Sequence, residues 1–400
     1  MQTSIKGQAI EPSVTLEISA KAKQMKAEGK SVVAFTAGEP DFNTPKFIIE
    51  SAKRALDEGK TKYTPASGIA ELKAAIVEKF EKENGLKYKP SNIVVSDGAK
   101  SSLFHAFAAI LNEGDEVILV APYWITYAEQ IKFLGGKCVV VNTAKKSGYK
   151  LTKADFEGAI TKKTKCLLLN SPCNPTGVVY TEEELKDIAE VAEKHGIYVV
   201  SDEVYEKLVF GGAKHISIAS VSEYMKDHTI VINGVSKTFS MTGWRIGYLA
   251  APENIAKAIG NLQSHTTSNP CSFAQYASVD ALFKKEGEEF CESMVEEFSL
   301  RRNAICAALD GYGYEYIKPM GAFYVFMNID RFIGKSYGGK TIKGSVDFAN
   351  FLIDEGVAVI PGLAFGADNF VRLAYTVSKE DIALGIERIG AFEAKLGKQL

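Results

Sequence analysis

Residues 166–202 read CLLLNSPCNPTGVVYTEEELKDIAEVAEKHGIYVVSD. The opening segment, 166–170, is apolar on both alternate faces up to its closing amide, which predicts a strand covered on both sides. Thr181 then opens a segment of mixed apolar and charged residues with Glu184 three positions on. This capping-box arrangement predicts a helix over 181–195. Residues 197–202 form a second buried strand. Strand, crossover helix and strand in this order make a parallel unit with a right-handed connection.

The same alternation extends in both directions. Segments 93–96, 117–122, 138–142 and 229–234 read as further strands. Residues 99–111 carry Leu103, Phe104, Phe107, Ile110 and Leu111 at helical spacing, with Gly114 beyond the end. The two ends of the chain differ. Helices are expected at 51–58, 71–84 and 286–309, then widely separated short strands at 322–327, 357–360 and 370–374. We therefore expect an α/β large domain over 46–300, and a smaller domain built from 1–45 and 301–400. There is no internal repeat and no low-complexity segment.

Composition bounds the function. The chain has 400 residues, 46% hydrophobic and 24% charged, with a formal net charge of −2. No global basic field exists to attract nucleic acid, and the lysines of 21–26 read as a solvated helix face. No apolar run reaches the roughly 18 residues a membrane span needs. The polar, proline-interrupted start lacks the apolar core of a signal peptide, so a cytoplasmic site is the default. The six cysteines are scattered without a CxxC. They read as reduced packing residues, not as disulfides or metal ligands.

In an open α/β sheet, ligands bind beyond the carboxyl ends of the strands. After 93–96 comes Asp97-Gly98-Ala99-Lys100-Ser101, opening a helix, and after 117–120 comes Ala121-Pro122-Tyr123-Trp124. Segment 166–169 is followed by Asn170 and then Asn174-Pro175-Thr176-Gly177. After 198–200 come Asp202 and Tyr205; after 230–232 come Ser236, Lys237 and Arg245. Alone, each has an ordinary meaning: Asp202 a helix cap, Asn174-Pro175 a turn, Trp124 core, Lys237 and Arg245 surface charge. Together they put an acid, an amide, an aromatic ring, a phenol, an amine and a guanidinium on one edge. Gly98–Ser101 ends like a nucleotide P-loop, but Ile93 stands where its first glycine belongs. Gly311-Tyr312-Gly313 lacks a third glycine and is no dinucleotide motif.

Those residues resemble the class I aspartate aminotransferase family, in the bacterial and archaeal branch that includes prephenate aminotransferases. Segment 236–247, SKTFSMTGWRIG, is similar to the family's lysine signature. AGEPDF at 37–42, KYTP at 62–65, PYW at 122–124, NPTG at 174–177, SDEVY at 201–205 and FVRL at 370–373 match in the same order. The likeness runs from about residue 10 to residue 390. It implies a fold-type I transferase dependent on pyridoxal 5′-phosphate (PLP): α/β, with a mainly parallel seven-stranded sheet in the large domain and a smaller α/β domain from both chain ends.

The resemblance also implies roles. Lys237 would hold PLP as a Schiff base and later move the substrate's Cα proton. Asp202 would pair with the pyridine nitrogen, Tyr205 and Asn174 with the ring oxygen, and Trp124 would stack on the ring. Gly98, Ala99 and Lys100 open a helix, where unpaired amides and the dipole favour a phosphate; Arg245 and Ser236 would join them. Gly234 stands where some relatives carry a serine. Tyr63 would reach the phosphate of a second subunit, which implies a homodimer with shared active sites. Arg372 would clamp the substrate α-carboxylate with Asn174 and the backbone of Gly38.

Ser264 occupies the place where some relatives offer an arginine to the distal carboxylate in the partner subunit's site. Lys100 is the candidate for that task here, assisted by Ser13 or Thr15. The expected reaction moves the amino group of aspartate or glutamate to a 2-oxo acid such as 2-oxoglutarate. Prephenate, aromatic acids or alanine as substrates, a PLP-dependent β-lyase and a non-catalytic binding protein are the alternatives.

Overall fold

The computed structural model describes residues 3–8, 10 and 14–396. Seven strands form its main sheet: β1 (Ile93–Ser96), β2 (Glu116–Ala121), β3 (Lys137–Asn142), β4 (Thr164–Asn170), β5 (Tyr198–Asp202), β6 (Thr229–Gly234) and β7 (Gly247–Ala250). Their order is β1-β7-β6-β5-β4-β2-β3. Strands β2 to β6 run parallel to their neighbours in that set. Only β7 opposes both β1 and β6.

Burial follows the two-residue period of the strands. Leu168 of β4 and Val200 of β5 face one apolar layer with Leu103 and Phe107. Their neighbours Leu167 and Val199 face the opposite layer with Ile188 and Val191. Covering both faces excludes water from a backbone that is already paired, which suits near-continuous apolar strands. The edge strand β3 is the exception, since its residues are half-buried or exposed.

The helices include α1 (Ala70–Asn84), α2 (Ala99–Ile110), α3 (Thr126–Phe133), α4 (Glu182–His195), α5 (Val235–Thr238), α6 (Glu253–Ser264) and α7 (Lys285–Gly311). The capping box of α4 is formed as read: Thr181 Oγ1 accepts from the Glu184 amide at 3.3 Å and Glu184 Oε2 accepts from the Thr181 amide at 2.8 Å. The expected boundary at residue 300 falls inside α7.

A second sheet comes from β8 (Tyr316–Ile317), β9 (Tyr324–Asn328), β10 (Ile360–Pro361) and β11 (Phe370–Ala374), antiparallel in the order β10-β11-β9-β8. The strand expected over 357–360 is split. Val357–Ala358 pairs in parallel with Val33–Ala34 near the other end of the chain, while Ile360–Pro361 joins β11. One apolar cluster accordingly unites Ile18, Val33 and Phe35 with Phe298, Phe326, Leu373 and Ile386.

Candidate active site

The carboxyl ends of the parallel strands and the middle of β11 open on one cavity of about 430 Å³, within the range of small-molecule sites. Ala99, Lys100, Trp124, Asn174, Asp202 and Tyr205 line it, together with Ser236, Lys237, Arg245, Gly38 and Arg372. Residues far apart in sequence are therefore brought together as the strand-end reading required.

One end of the cavity is built for an anion. Gly98 has a positive φ of 81°, and a Cβ there would lie 2.4 Å from an Arg245 nitrogen. Gly247 of β7 runs so close beneath α2 that a Cβ would sit 2.2 Å from the Ala99 nitrogen. The two glycines thus let the guanidinium and the first-turn amides of α2 approach each other, amides that have no acceptor within the helix. Arg245 itself is left-handed at φ 56°, a strained conformation for a side-chain-bearing residue and one common at functional sites. Its Nη1 donates to the Thr242 carbonyl at 2.9 Å.

The floor holds Asp202, 3% exposed. Burial pushes its carboxyl up to about 6, although the Tyr127 hydroxyl opposes this by donating to Oδ2 at 2.7 Å. The Tyr205 and Tyr324 hydroxyls are 2.8 Å apart, and burial raises the Tyr205 phenol well above its ordinary range. The Lys100 ammonium lies 4.8 Å over the Trp124 ring. Burial, then Arg245, lowers its pKa.

The far wall holds Arg372, 4% exposed. Its Nη1 donates to Asn174 Oδ1 at 3.0 Å and its Nη2 to the Thr36 carbonyl at 3.2 Å, while Nε has no partner. The guanidinium stacks 4.3 Å over the Tyr324 ring. No carboxylate pairs with it among the described residues, so a buried cation faces the cavity without a counter-ion, an arrangement that favours an anionic ligand.

Lys237 rests its ammonium on the Gly38 carbonyl at 2.5 Å. Burial lowers its pKa to about 8; Glu39 opposes the shift, and Arg372 and then Arg245 reinforce it. Burial and Arg372 act ahead of Arg245 on this amine.

Two residues singled out in the sequence, neither expected to line this chain's own cavity, stand away from it. Tyr63 is 89% exposed and lines no wall of it. Ser264 closes α6 on the surface, with its hydroxyl on the Asn261 carbonyl at 2.7 Å. Ser13 and the Thr15 side chain lie outside the described residues. Conversely, Tyr127, Tyr324, Thr36 and Glu39 line the cavity unforeseen. Tyr127 stands three residues after Trp124 and was legible as its companion on a helix start. Tyr324 carried no local sign, since its position depends on β9 pairing with β11.

Comparison with known proteins identifies the family. A family model described as aminotransferase class I and II matches residues 30–389. The chain is 49% identical to an aspartate aminotransferase of Bacillus subtilis over 389 residues, covering 97% of this chain and 98% of that one. It is also 49% identical to a probable aspartate/prephenate aminotransferase of Aquifex aeolicus, with 95% of each chain covered. Among solved structures, the aspartate aminotransferase of Thermus thermophilus with maleate superposes at a TM-score of 0.93 with 41% identity, over 98% of this chain and 99% of that one. That of Rhizobium meliloti gives a TM-score of 0.94 with 40% identity, over 99% and 100%.

Proposed function

The chain belongs to the class I and II aminotransferases, and from that premise we propose that it transfers the amino group of aspartate to a 2-oxo acid such as 2-oxoglutarate, using PLP held on Lys237. The observation that carries this reading is the grouping, in one cavity, of a buried acid, an amine of lowered pKa and a buried guanidinium with no counter-ion among the described residues.

The residues fit PLP. Asp202, raised to about 6 by burial with Tyr127 as its side-chain donor, calls for a cation such as a protonated ring nitrogen. The Gly98–Arg245 cradle at the start of α2 suits a phosphate, and Trp124 offers a ring face. Bound there, the cofactor supplies an electron sink for the charge left when the substrate loses its Cα proton.

The chain's own groups do the rest. Arg372 and Asn174 fix the substrate α-carboxylate and so aim the Cα–H bond. Lys237, neutral in part near pH 8, takes the proton from Cα and would pass it to the cofactor's aldehyde-derived carbon, on the other side of the substrate nitrogen. Lys100, assisted by Ser13 or Thr15, receives the distal carboxylate. We place the protein in the cytoplasm, and no described helix is long and apolar enough to cross a membrane. We take it to act as a homodimer in which Tyr63 serves the partner's phosphate, and we draw the large domain at 46–300 with 1–45 and 301–400 as the small one.

The test is to load the protein with PLP, add aspartate and 2-oxoglutarate, and assay oxaloacetate and glutamate. Both should form, and neither should form with Lys237→Ala. Ammonia released from cysteine-like substrates in place of transamination would overturn the reading in favour of a β-lyase. Relatives named for both aspartate and prephenate support prephenate as a second amino acceptor, which the same assay checks by substitution of the oxo acid.

A further inference from the structure

Tyr127 is 2% exposed, and its hydroxyl and the Asp202 carboxylate form a buried pair at 2.7 Å. The other carboxylate oxygen takes only a 3.4 Å contact from the Val204 amide. The Tyr127 ring also stands edge-on to Trp124, with centroids 5.4 Å apart and planes at 87°. One residue therefore touches both the acid on the floor and the aromatic face above it. From this geometry we propose that Tyr127 is a positioning residue, which pins Asp202 through one oxygen so that the other is presented to the cofactor ring, and fixes the tilt of Trp124 against that ring.

The inference rests on the PLP reading and deepens it. A carboxylate with both oxygens free could rotate about χ2, and its charge would be spread over several directions. A phenol donor held by α3 removes that freedom, and a charge-assisted bond in a dry site favours the ionised acid. The geometry of Trp124 and Asp202 is then set by a single rigid side chain, with no loop ordering needed when the ligand arrives.

The charged and titratable groups facing Asp202 are Tyr127 from α3, Lys237 from α5, Cys173 from the loop after β4, and Glu203 and Tyr205 from its own segment. Of these, Tyr127 donates to it and Lys237 attracts its charge, whereas Glu203 repels it. Removing the hydroxyl should make ionised Asp202 harder to bury. The stability penalty of Tyr127→Phe in the cofactor-free protein should therefore grow as pH rises from about 4 to 8, because the penalty belongs to the ionised form. In an Asp202→Asn background the same penalty should be flat with pH. A purely structural loss of packing would be flat in both.

Urea denaturation of the four proteins across that pH range reads the first quantity, and PLP dissociation followed by dialysis and fluorescence reads the second. Tyr127→Phe should release PLP roughly tenfold more readily, with a shifted absorbance maximum for the retained chromophore. If Tyr127→Phe does not fold, Tyr127→Gln, which keeps a donor, replaces it and should show a smaller effect of the same sign. A pH-independent penalty together with wild-type PLP retention would overturn the proposal while leaving the functional reading intact. Failure of the wild-type protein to take up PLP would sink that reading instead, and the cofactor-free titration would still decide whether the pair exists.

Discussion

At the scale of single residues, the site combines charges that its burial disfavours. Lys237 falls from 10.5 to about 8. Between those values the unfolded chain holds a proton that the folded one has released, so stability rises with pH there; below about 8 the buried charge costs stability in full. Cofactor-free Lys237→Met should accordingly melt above the wild type at pH 7, and the gap should close as pH climbs toward 10. The same shift makes the amine a nucleophile earlier than an ordinary lysine, so its labelling by an amine-specific reagent should rise through about pH 8. Arg372 is a buried cation as well. Its planar guanidinium bridges Asn174 and the Thr36 carbonyl while stacking on Tyr324, a fork that an ammonium cannot reproduce. Arg372→Lys should lower kcat/KM for amino acids of every side chain by about 2–3 kcal/mol, measured with aspartate and alanine side by side. A loss confined to aspartate would move the α-carboxylate contact elsewhere.

At the scale of elements, the segment leaving β5 faces two ways. Asp202 and Tyr205 point into the cavity, whereas Glu203 and Glu206 point behind it. Glu203 accepts from Ser201 at 2.9 Å and Ser217 at 2.7 Å and lies 3.0 Å from His215. Glu206 pairs with Lys79 of α1 and accepts from Asn84 at 3.1 Å. Burial would raise Glu206, but Lys79 and then His215 hold it down to about 2. Lys79→Met leaves that carboxylate buried and unpaired, and should cost about 3–5 kcal/mol in urea denaturation. Adding Glu206→Met should recover most of the loss. The sequence carried the cavity side of this segment, because strand ends in an α/β sheet announce where ligands sit. It did not carry the rear side, where Lys79 meets Glu206 only through tertiary packing. The same limit explains β7, whose four residues Gly-Tyr-Leu-Ala lack a strand's composition and are held by β1 and β6 on either side. It explains Tyr324 and the splitting of 357–361 as well, since both depend on partners from the opposite end of the chain. Local signals such as the α4 capping box were read correctly because their partners lie within one turn.

At the scale of the whole molecule, Tyr63 lines no wall of its own chain's cavity. Tyr63 stands 89% exposed, so its ring and hydroxyl are open to contact from another surface. In a two-fold dimer each copy would lend this phenol to the other's phosphate cradle. Tyr63→Ala should then weaken PLP by about 1.5–3 kcal/mol, the worth of a hydrogen bond to a charged group. The assignment to the partner's site is separable from this loss by complementation. In a hybrid of Lys237→Ala with Tyr63→Ala, one site has lost both groups, and the other combines an intact Lys237 with an intact Tyr63 from across the interface. Random reassortment of the two variants should restore roughly a quarter of the wild-type sites, read as oxaloacetate formed at limiting PLP after co-refolding. If Tyr63 served its own chain, every site would lack one group or the other, and mixing would restore nothing.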